Sequence, residues 1–435
     1  MNRDRLTALA GLVLLAGVFV SIQISGPDGP AGPVLLGVRG EFLLFALTLL
    51  GVALLHHHTL AVALTGLGAI LFFKFAFVGN FHLVEHLRHE WEVLLNLLGL
   101  LLGFALLAKH FAESRVPDIL PRFLPEGWKG GFVLLALVFV LSAFLDTIAA
   151  AMIGGTMAMV VFRGRVGIGY LAAIVAASNA GGSGSVVGDT TTTMMWIDGV
   201  AAIDVTHAYA AAVPALVISG LIAARQQHRF QPIQRDELGH HQVDWTKLLV
   251  VVLILAGAIL TNFALDFPAV GVWAAILVGA TFTKTAWSEL PGALKGSVFL
   301  LSLVMCASMM PVEALPLASW QTAFGLGFVS AVFDNIPLTK LALNQGGYDW
   351  GVLAYSVGYG GSMIWFGSSA GVALSNMYPQ AKSVGSWLKE GWHVILAYIV
   401  GFFILLYTVG WEPHAPHKEG RGMPAAPMTG QADGH

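Results

Sequence analysis

Long apolar runs recur along the whole chain, and short polar stretches separate them. Runs of about 18 residues or more with few charges are long enough to cross a bilayer as helices, and a water-soluble core cannot use so many. The pattern predicts an all-α polytopic membrane protein with about 11 transmembrane helices and two re-entrant hairpins. The predicted spans are 6–23, 38–55, 59–78, 92–108, 208–224, 248–264, 270–284, 297–311 and 392–411, with hairpins at 130–162 and 320–346 and broken helices at 168–200 and 350–378.

Two parts of the chain resemble each other, which predicts an internal repeat. Residues 142–148 (SAFLDTI) match residues 330–336 (SAVFDNI), and a Gly-Gly-Ser triplet follows each of them inside an apolar run. The predicted spans give the two halves opposite orientations, and inverted repeats place a binding site at the membrane midplane, where their helices are broken. The expected organisation is an N-terminal helix in 1–33, a first repeat in 34–224, a cytoplasmic linker in 225–247, a second repeat in 248–411 and a disordered tail in 412–435.

Composition supports a membrane location and excludes several classes of protein. Hydrophobic residues make up 56% of the chain and charged residues 11%, and the net charge of −3 gives no electrostatic reason to bind nucleic acid. A single cysteine, Cys306, leaves no intrachain disulfide framework. We expect a plasma (inner) membrane protein. Most Lys and Arg residues fall on the side of the N-terminus, which predicts that the N-terminus is in the cytoplasm and the C-terminus outside.

Residues 178–196 (SNAGGSGSVVGDTTTTMMW) carry glycines, hydroxyls, an amide and a carboxylate within apolar sequence. A helix that breaks at this point exposes backbone carbonyls, and Asp189 and the threonines add hard oxygen ligands. Small cations such as sodium prefer ligands of this kind. The segment therefore predicts an ion-binding site within the membrane.

Three carboxylates, Asp146, Asp189 and Asp334, lie at the predicted membrane depth. Each costs roughly 2.5–3.5 kcal/mol there, so a partner or a function is expected. The alternative is that each Asp only caps a half-helix, but three at mirrored positions favour ion binding. The candidate cation- and proton-binding residues are Asp146, Thr147, Asn179, Ser183, Asp189, Thr191, Thr192, Ser330, Asp334, Asn335, Ser362 and Ser368.

Two further charged residues lie in or beside apolar segments. Glu92 begins the fourth span and is either a proton relay or an ordinary interfacial carboxylate. Lys340 follows the second hairpin tip. It could neutralise Asp334, but we prefer an arrangement in which it extends to the outer surface.

A buried carboxylate that holds either a proton or a cation is sufficient for exchange transport, provided that the empty site does not cross the membrane. The sequence contains neither a nucleotide-binding P-loop nor a nucleophile–base set or HExxH motif. We therefore expect a transporter rather than an enzyme, driven by an ion gradient or by a separate subunit. It would have no cofactor, and no metal beyond the transported Na⁺ (or Li⁺) that it exchanges for H⁺.

The glycine-rich run 178–196, the hairpin tips at 145–147 and 333–335, and residues 360–371 resemble the motifs of NhaD-type sodium/proton antiporters. These antiporters belong to the ion transporter superfamily, which also contains citrate transporters. The resemblance implies a scaffold, a mobile transport domain, a homodimer and elevator-type movement. Acidic tips repel an anion, so we favour the antiporter, and a sodium- or proton-coupled carrier of citrate, a dicarboxylate or another anion remains the alternative.

Overall fold

A computed structural model of the chain describes residues 34–35, 38–55, 58–78, 81–234 and 242–415. The predicted helix 6–23 and the tail beyond residue 415 lie outside these residues. Regular structure in the described part is helical, except for two antiparallel two-residue strands, β1 (Val34–Leu35) and β2 (Val38–Arg39). The prediction of an all-α polytopic membrane protein is thereby confirmed in its coarse form.

In the first half of the chain, two helices joined by a short turn precede a helix that is interrupted. The interruption covers residues 184–189, as expected from their glycines. The helices are α1 (Gly40–Leu54), α2 (Thr59–Phe77), α3 (Leu83–Glu113), α4 (Val116–Ile119), α5 (Trp128–Ser142), α6 (Thr147–Val161), α7 (Ile168–Ser183), α8 (Thr190–Ile197), α9 (Ala202–Thr206) and α10 (Tyr209–Phe230).

The second half repeats the order of a helix pair followed by an interrupted helix, and the interruption covers residues 361–368. Four short 3₁₀ turns, at 120–123, 287–289, 312–314 and 379–381, complete the described helical structure. The α-helices are α11 (Trp245–Leu265), α12 (Pro268–Gly279), α13 (Leu290–Ser308), α14 (Trp320–Ser330), α15 (Asn335–Gln345), α16 (Trp350–Gly360), α17 (Ser369–Met377), α18 (Val384–Glu390) and α19 (Trp392–Thr408).

Five helical segments in the described part are long and apolar enough to cross a membrane: 59–77, 83–113, 202–230, 245–265 and 287–308. A sixth would be the pair α18 and α19, whose axes meet at 60°. The helix pairs α5–α6 and α14–α15 and both interruptions fall at the predicted positions. The count of 11 crossings and the re-entry of the two pairs into the membrane stay predictions.

The helices pack as two groups. We call α1, α2, α3, α11, α12 and α13 the frame helices, because α1 and α2 share an apolar core with α13, and α3 packs on α11, α12 and α13. We call α5–α8, α10 and α14–α19 the site helices, since they enclose both interruptions. The two groups touch where α13 lies against α15 and where α3 lies against α8.

The largest difference from the predicted spans is at α3. This helix begins at Leu83, nine residues before the predicted start at 92. Charged and histidine residues lower the hydropathy of its first turns, but tertiary contacts satisfy some of them. Among these, His86 Nε2 lies 2.9 Å from Ser308 Oγ on α13. Polar contacts inside the protein therefore extend the helix beyond its apolar run.

Candidate functional site

Four helix N-termini carry the acidic and hydroxyl residues of the candidate site. Asp146 caps α6 and Asp334 caps α15, each accepting a 3.0 Å hydrogen bond from the amide two residues later. Asp189 caps α8 by accepting from the Thr191 amide at 3.4 Å, and Ser368 caps α17 by accepting from the Gly371 amide at 3.2 Å. Asp and Ser are preferred caps because their side-chain oxygens accept from the unpaired amides of the first turn. All three aspartates therefore cap a helix, as the alternative to ion binding predicted.

Capping leaves lone pairs of these carboxylates available for other partners. An ionised carboxylate has about four lone-pair positions, and each aspartate gives one oxygen to its capped helix. The second oxygen of Asp189 accepts from Thr191 Oγ1 at 2.8 Å, and that of Asp334 accepts from Ser369 Oγ at 3.4 Å. Both hydroxyl partners could turn toward an ion as ligands. Cation binding and helix capping are therefore compatible at the same residues.

Glycines place the first helix of each hairpin directly against an interrupted helix. A Cβ added to Gly181 would overlap the carbonyl oxygen of Phe139 on α5, and one added to Gly360 would overlap that of Gly327 on α14. Both crossings therefore bring backbone against backbone. Only glycine permits so close an approach, because any other residue carries a Cβ. The same local arrangement thus recurs in both halves.

The two interrupted helices also meet each other. Asn179 Nδ2 donates a 2.9 Å hydrogen bond to Ser362 Oγ, and both residues are buried. A Cβ added to Gly358 would lie 3.4 Å from Asp189 Oδ2, so this carboxylate faces α16 across the junction. Asp189 also interacts electrostatically with Asp146 and with Asp334. Asp189 therefore lies at the junction between α7 and α16, and Asp146 and Asp334 lie close enough to interact with it.

Several predicted ligands instead donate hydrogen bonds from their hydroxyl groups to backbone carbonyls. Ser330 Oγ donates to the carbonyl of Val357 at 2.6 Å, and Ser183 Oγ donates to that of Ala180 at 2.8 Å. Thr192 Oγ1 donates to the carbonyls of Ser185 and Asp189 at 2.6 and 2.9 Å. These three hydroxyls hold the shape of the site.

Thr147 and Asn335 are the first residues of α6 and α15, and both are buried. They follow Asp146 and Asp334 directly and so stand at the two hairpin tips. The Thr147 carbonyl accepts a 2.7 Å hydrogen bond from Ser178 Oγ, which ties the first tip to α7. Sequence reasoning did not single out this contact of Ser178.

A cavity of about 250 Å³ opens beside Asp334, between the two helix groups. Its polar residues include Ser368 and Ser369, so it reaches the N-terminus of α17 as well as that of α15. Its remaining lining is largely apolar. The lining residues are Leu49, Val52, Thr59, Ile148, Phe299, Val332, Asp334, Phe366, Ser368, Ser369, Val372, Ala373 and Asn376. The cavity therefore exposes Asp334 beside the C-terminal half of α1 and the start of α2.

Lys340 does not reach the outer surface, so the preferred expectation for it is wrong. Its side chain is 3% exposed and its Nζ lies 2.9 Å from Glu90 Oε2 on α3. Glu90 was missed because the predicted span began at Glu92, which put Glu90 in water. Glu92 itself is half-buried on α3, and its role as a relay stays a prediction.

Comparisons with known proteins agree with the motifs. No protein-family model matches the chain. Sodium/proton antiporter 1 of Arabidopsis thaliana is 25% identical over 338 residues, which are 66% of this chain and 56% of the relative. The Na⁺/H⁺ antiporters NhaD of Alkalimonas amylolytica and Vibrio parahaemolyticus are 26% and 27% identical, over 64% and 57% of this chain and 68% and 72% of their own lengths.

The chain resembles NhaD-type sodium/proton antiporters. The predicted resemblance is therefore confirmed. The chain spans a little over half the length of the Arabidopsis relative, 56%. The apolar helices and these relatives together identify an integral membrane protein.

Proposed function

We propose that this protein is a secondary transporter that exchanges sodium, or lithium, for protons. The single observation that carries the proposal is the junction of α7 and α16, where the Asp189 carboxylate faces α16 beside the Asn179–Ser362 hydrogen bond. The names of the antiporter relatives support it. Carboxylates next to amide and hydroxyl oxygens suit a hard monovalent cation.

Protons and cations would compete for the same oxygens. A protonated aspartate loses the negative charge that attracts sodium, and a bound sodium opposes protonation. Because the helix N-termini at the site carry positive partial charge, an ionised Asp that holds no cation is still stabilised by its cap. Exchange follows if the site crosses the membrane only when occupied.

Movement in this proposal is of the elevator type. The site helices would carry the junction across the membrane against the frame helices, alternately opening it to each side. The recurrent glycine crossings support an arrangement of two inverted repeats. We also propose the predicted inner-membrane location, with the N-terminus inside and the C-terminus outside, and a homodimer.

The alternative, a citrate or other anion carrier, has less support. An anion site at these helix ends would need a cation to offset three carboxylates. Lys340 is the residue that could have supplied this positive charge, but it is ion-paired with Glu90 and is not among the residues that line the cavity. The position of Lys340 therefore favours a cation as the substrate.

Proton flux in proteoliposomes tests the proposal. Sodium or lithium, added without any organic anion, should drive proton movement that a trapped pH-sensitive dye reports. Asp189→Asn should abolish this flux, because the amide cannot alternate between a proton and a cation. Asp266→Asn is the matched control, since Asp266 is exposed at the end of α11, in a left-handed conformation that Asn also adopts.

Either of two results would overturn the proposal. Flux that requires citrate or another anion together with sodium would make the protein an anion symporter. Normal sodium-driven flux by Asp189→Asn would remove the aspartate junction from the transport pathway. Gel filtration of each purified variant checks that it is folded.

A further inference from the structure

The buried ion pair between Glu90 and Lys340 joins the two helix groups. Glu90 lies on the frame helix α3 and Lys340 on the site helix α15, with their charged atoms 2.9 Å apart. Their side chains are 9% and 3% exposed. Two such charges are stable in an apolar surrounding only while they stay together, because each alone has a large desolvation cost. Relative movement of the two helix groups would therefore pull these two charges apart.

The pair lies at one end of the frame. His86, one turn before Glu90, contacts Ser308, the last residue of α13. It also interacts electrostatically with Glu90, Lys340 and Lys74, and Lys74 is in the last turn of α2. The N-terminus of α3 and the C-termini of α2 and α13 therefore surround the pair.

The cavity lies at the opposite end of the same helices. Thr59, the first residue of α2, lines it, and so do Leu49 and Val52 from the C-terminal half of α1. Glu41 in the first turn of α1 bonds Lys74 at 3.4 Å, which confirms that α1 and α2 run antiparallel. The cavity therefore lies beside Asp334 at one end of the frame helices, and the ion pair lies at the other end.

The hairpin helix α15 connects the two ends. Asp334 caps it, and Lys340 follows six residues later, about 9 Å along the helix axis. Lys340 can hold the position of Asp334 relative to the frame because both belong to one short helix. Separating the pair requires that its end of the protein open to water, since no charge can then remain buried alone.

We infer that Glu90 and Lys340 are positioning residues that keep the site open on the cavity side and closed on the opposite side. Opening of the far side and separation of the pair would be the same event. The pair would thereby set the equilibrium between the conformation that is open on the cavity side and the one that is open on the opposite side. This inference rests on the proposed function, because it treats that movement as the transport step.

Labelling of one cysteine measures this balance directly. Cys306 is the one cysteine of the sequence and is buried on α13, so Cys306→Ala gives a background without thiols. Ala373→Cys then places a thiol on the cavity wall. The measured quantity is the rate at which a small charged methanethiosulfonate modifies this thiol in the purified full-length protein.

Two double variants and one control define the test. E90Q/K340M removes both charges at similar volume and so avoids leaving one of them unpaired. E90K/K340E restores the attraction with reversed signs. E289Q is the control, because it breaks the exposed ion pair between Lys109 and Glu289, 3.0 Å apart, within the frame.

We expect the labelling rate in E90Q/K340M to fall by at least about fivefold, a typical size for coupling between conformations. The rate should recover in E90K/K340E and stay unchanged in E289Q. An unchanged rate in folded E90Q/K340M overturns the inference. If E90K/K340E does not fold, E90Q/K340M alone decides.

Failure of this inference and failure of the proposed function are distinguishable. Sodium-driven proton flux in the unaltered protein, together with an unchanged labelling rate in E90Q/K340M, would leave the antiporter in place and remove the ion pair from its mechanism. A fivefold fall in the labelling rate of E90Q/K340M, in a protein that moves no protons when sodium is added, would keep the conformational role of the ion pair and overturn the antiporter.

Discussion

Replacing Ser362 by Ala should weaken the junction at the centre of the site. Asn179 Nδ2 donates to Ser362 Oγ at 2.9 Å, and the two residues are 1% and 0% exposed. Without the hydroxyl, the Asn179 amide is left buried and unpaired. Such a loss costs about 1–3 kcal/mol in water-soluble proteins. Polar contacts between membrane helices average only about 0.6 kcal/mol, with a maximum near 1.7, because the unfolded state in the membrane also finds partners.

The buried position of this pair places it near the upper part of the membrane range. We therefore expect Ser362→Ala to lower the free energy of unfolding by about 1–2 kcal/mol. Asn179→Leu removes the other partner with the same branching and number of heavy atoms, and leaves only a hydroxyl, which can turn toward another acceptor. The double variant should be less destabilised than the sum of the two, by about 1 kcal/mol, because each single change breaks the same bond.

Equilibrium unfolding by SDS in mixed micelles measures all four proteins of this double-mutant cycle. Asn344→Leu is a useful comparison, since its amide makes only a long 3.5 Å contact with the Ser308 carbonyl and should cost less. Strict additivity of Asn179→Leu and Ser362→Ala would refute the reasoning, because the hydrogen bond would then contribute nothing specific. The position of the two residues at the site also predicts a weaker apparent affinity for sodium in Ser362→Ala.

Two other predictions concern packing and capping. Gly181→Ala should destabilise the protein by about 1–3 kcal/mol in the same SDS assay, because the new methyl group overlaps the Phe139 backbone. Gly68→Ala faces open space and should be neutral or stabilising by up to about 1 kcal/mol. Equal effects of the two substitutions would contradict the close crossing. Asp349 caps α16 at 3.0 Å and accepts from the Glu412 amide at 2.9 Å. Asp349→Ala should therefore cost about 1 kcal/mol and speed proteolytic trimming of the C-terminal segment. Asp244→Ala, which removes a cap from α11, should cost stability without faster trimming.

Much of the architecture was predictable because apolar runs and glycines act locally. The hairpin tips at Asp146 and Asp334 and the interruptions after Ser183 and Gly360 all lie where the sequence placed them. A capping aspartate and glycines that weaken the helix favour these boundaries with few distant contacts. The domain boundaries, the repeat and the orientation in the membrane stay predictions.

The start of α3 and the partner of Lys340 were not predictable in the same way. Hydropathy excluded Glu90 from the membrane span, but the ammonium group of Lys340, 250 residues later in the chain, stabilises it in a buried position. Only the packing of α3 near α15 brings the two together. The hydroxyls of Ser330 and Ser183 were likewise taken as ligands, because sequence does not show that nearby carbonyls accept from them.

The crossings at Gly181 and Gly360 have a consequence for how substitutions should act. Two backbones in contact cannot adapt by turning a side chain, so in the proposed mechanism each hairpin and the interrupted helix that it crosses would travel as a rigid block. The coordination geometry would then stay the same on both sides of the membrane. Changes inside this block should alter which ion is selected, and changes on the surface between site and frame helices should alter turnover while leaving selectivity intact.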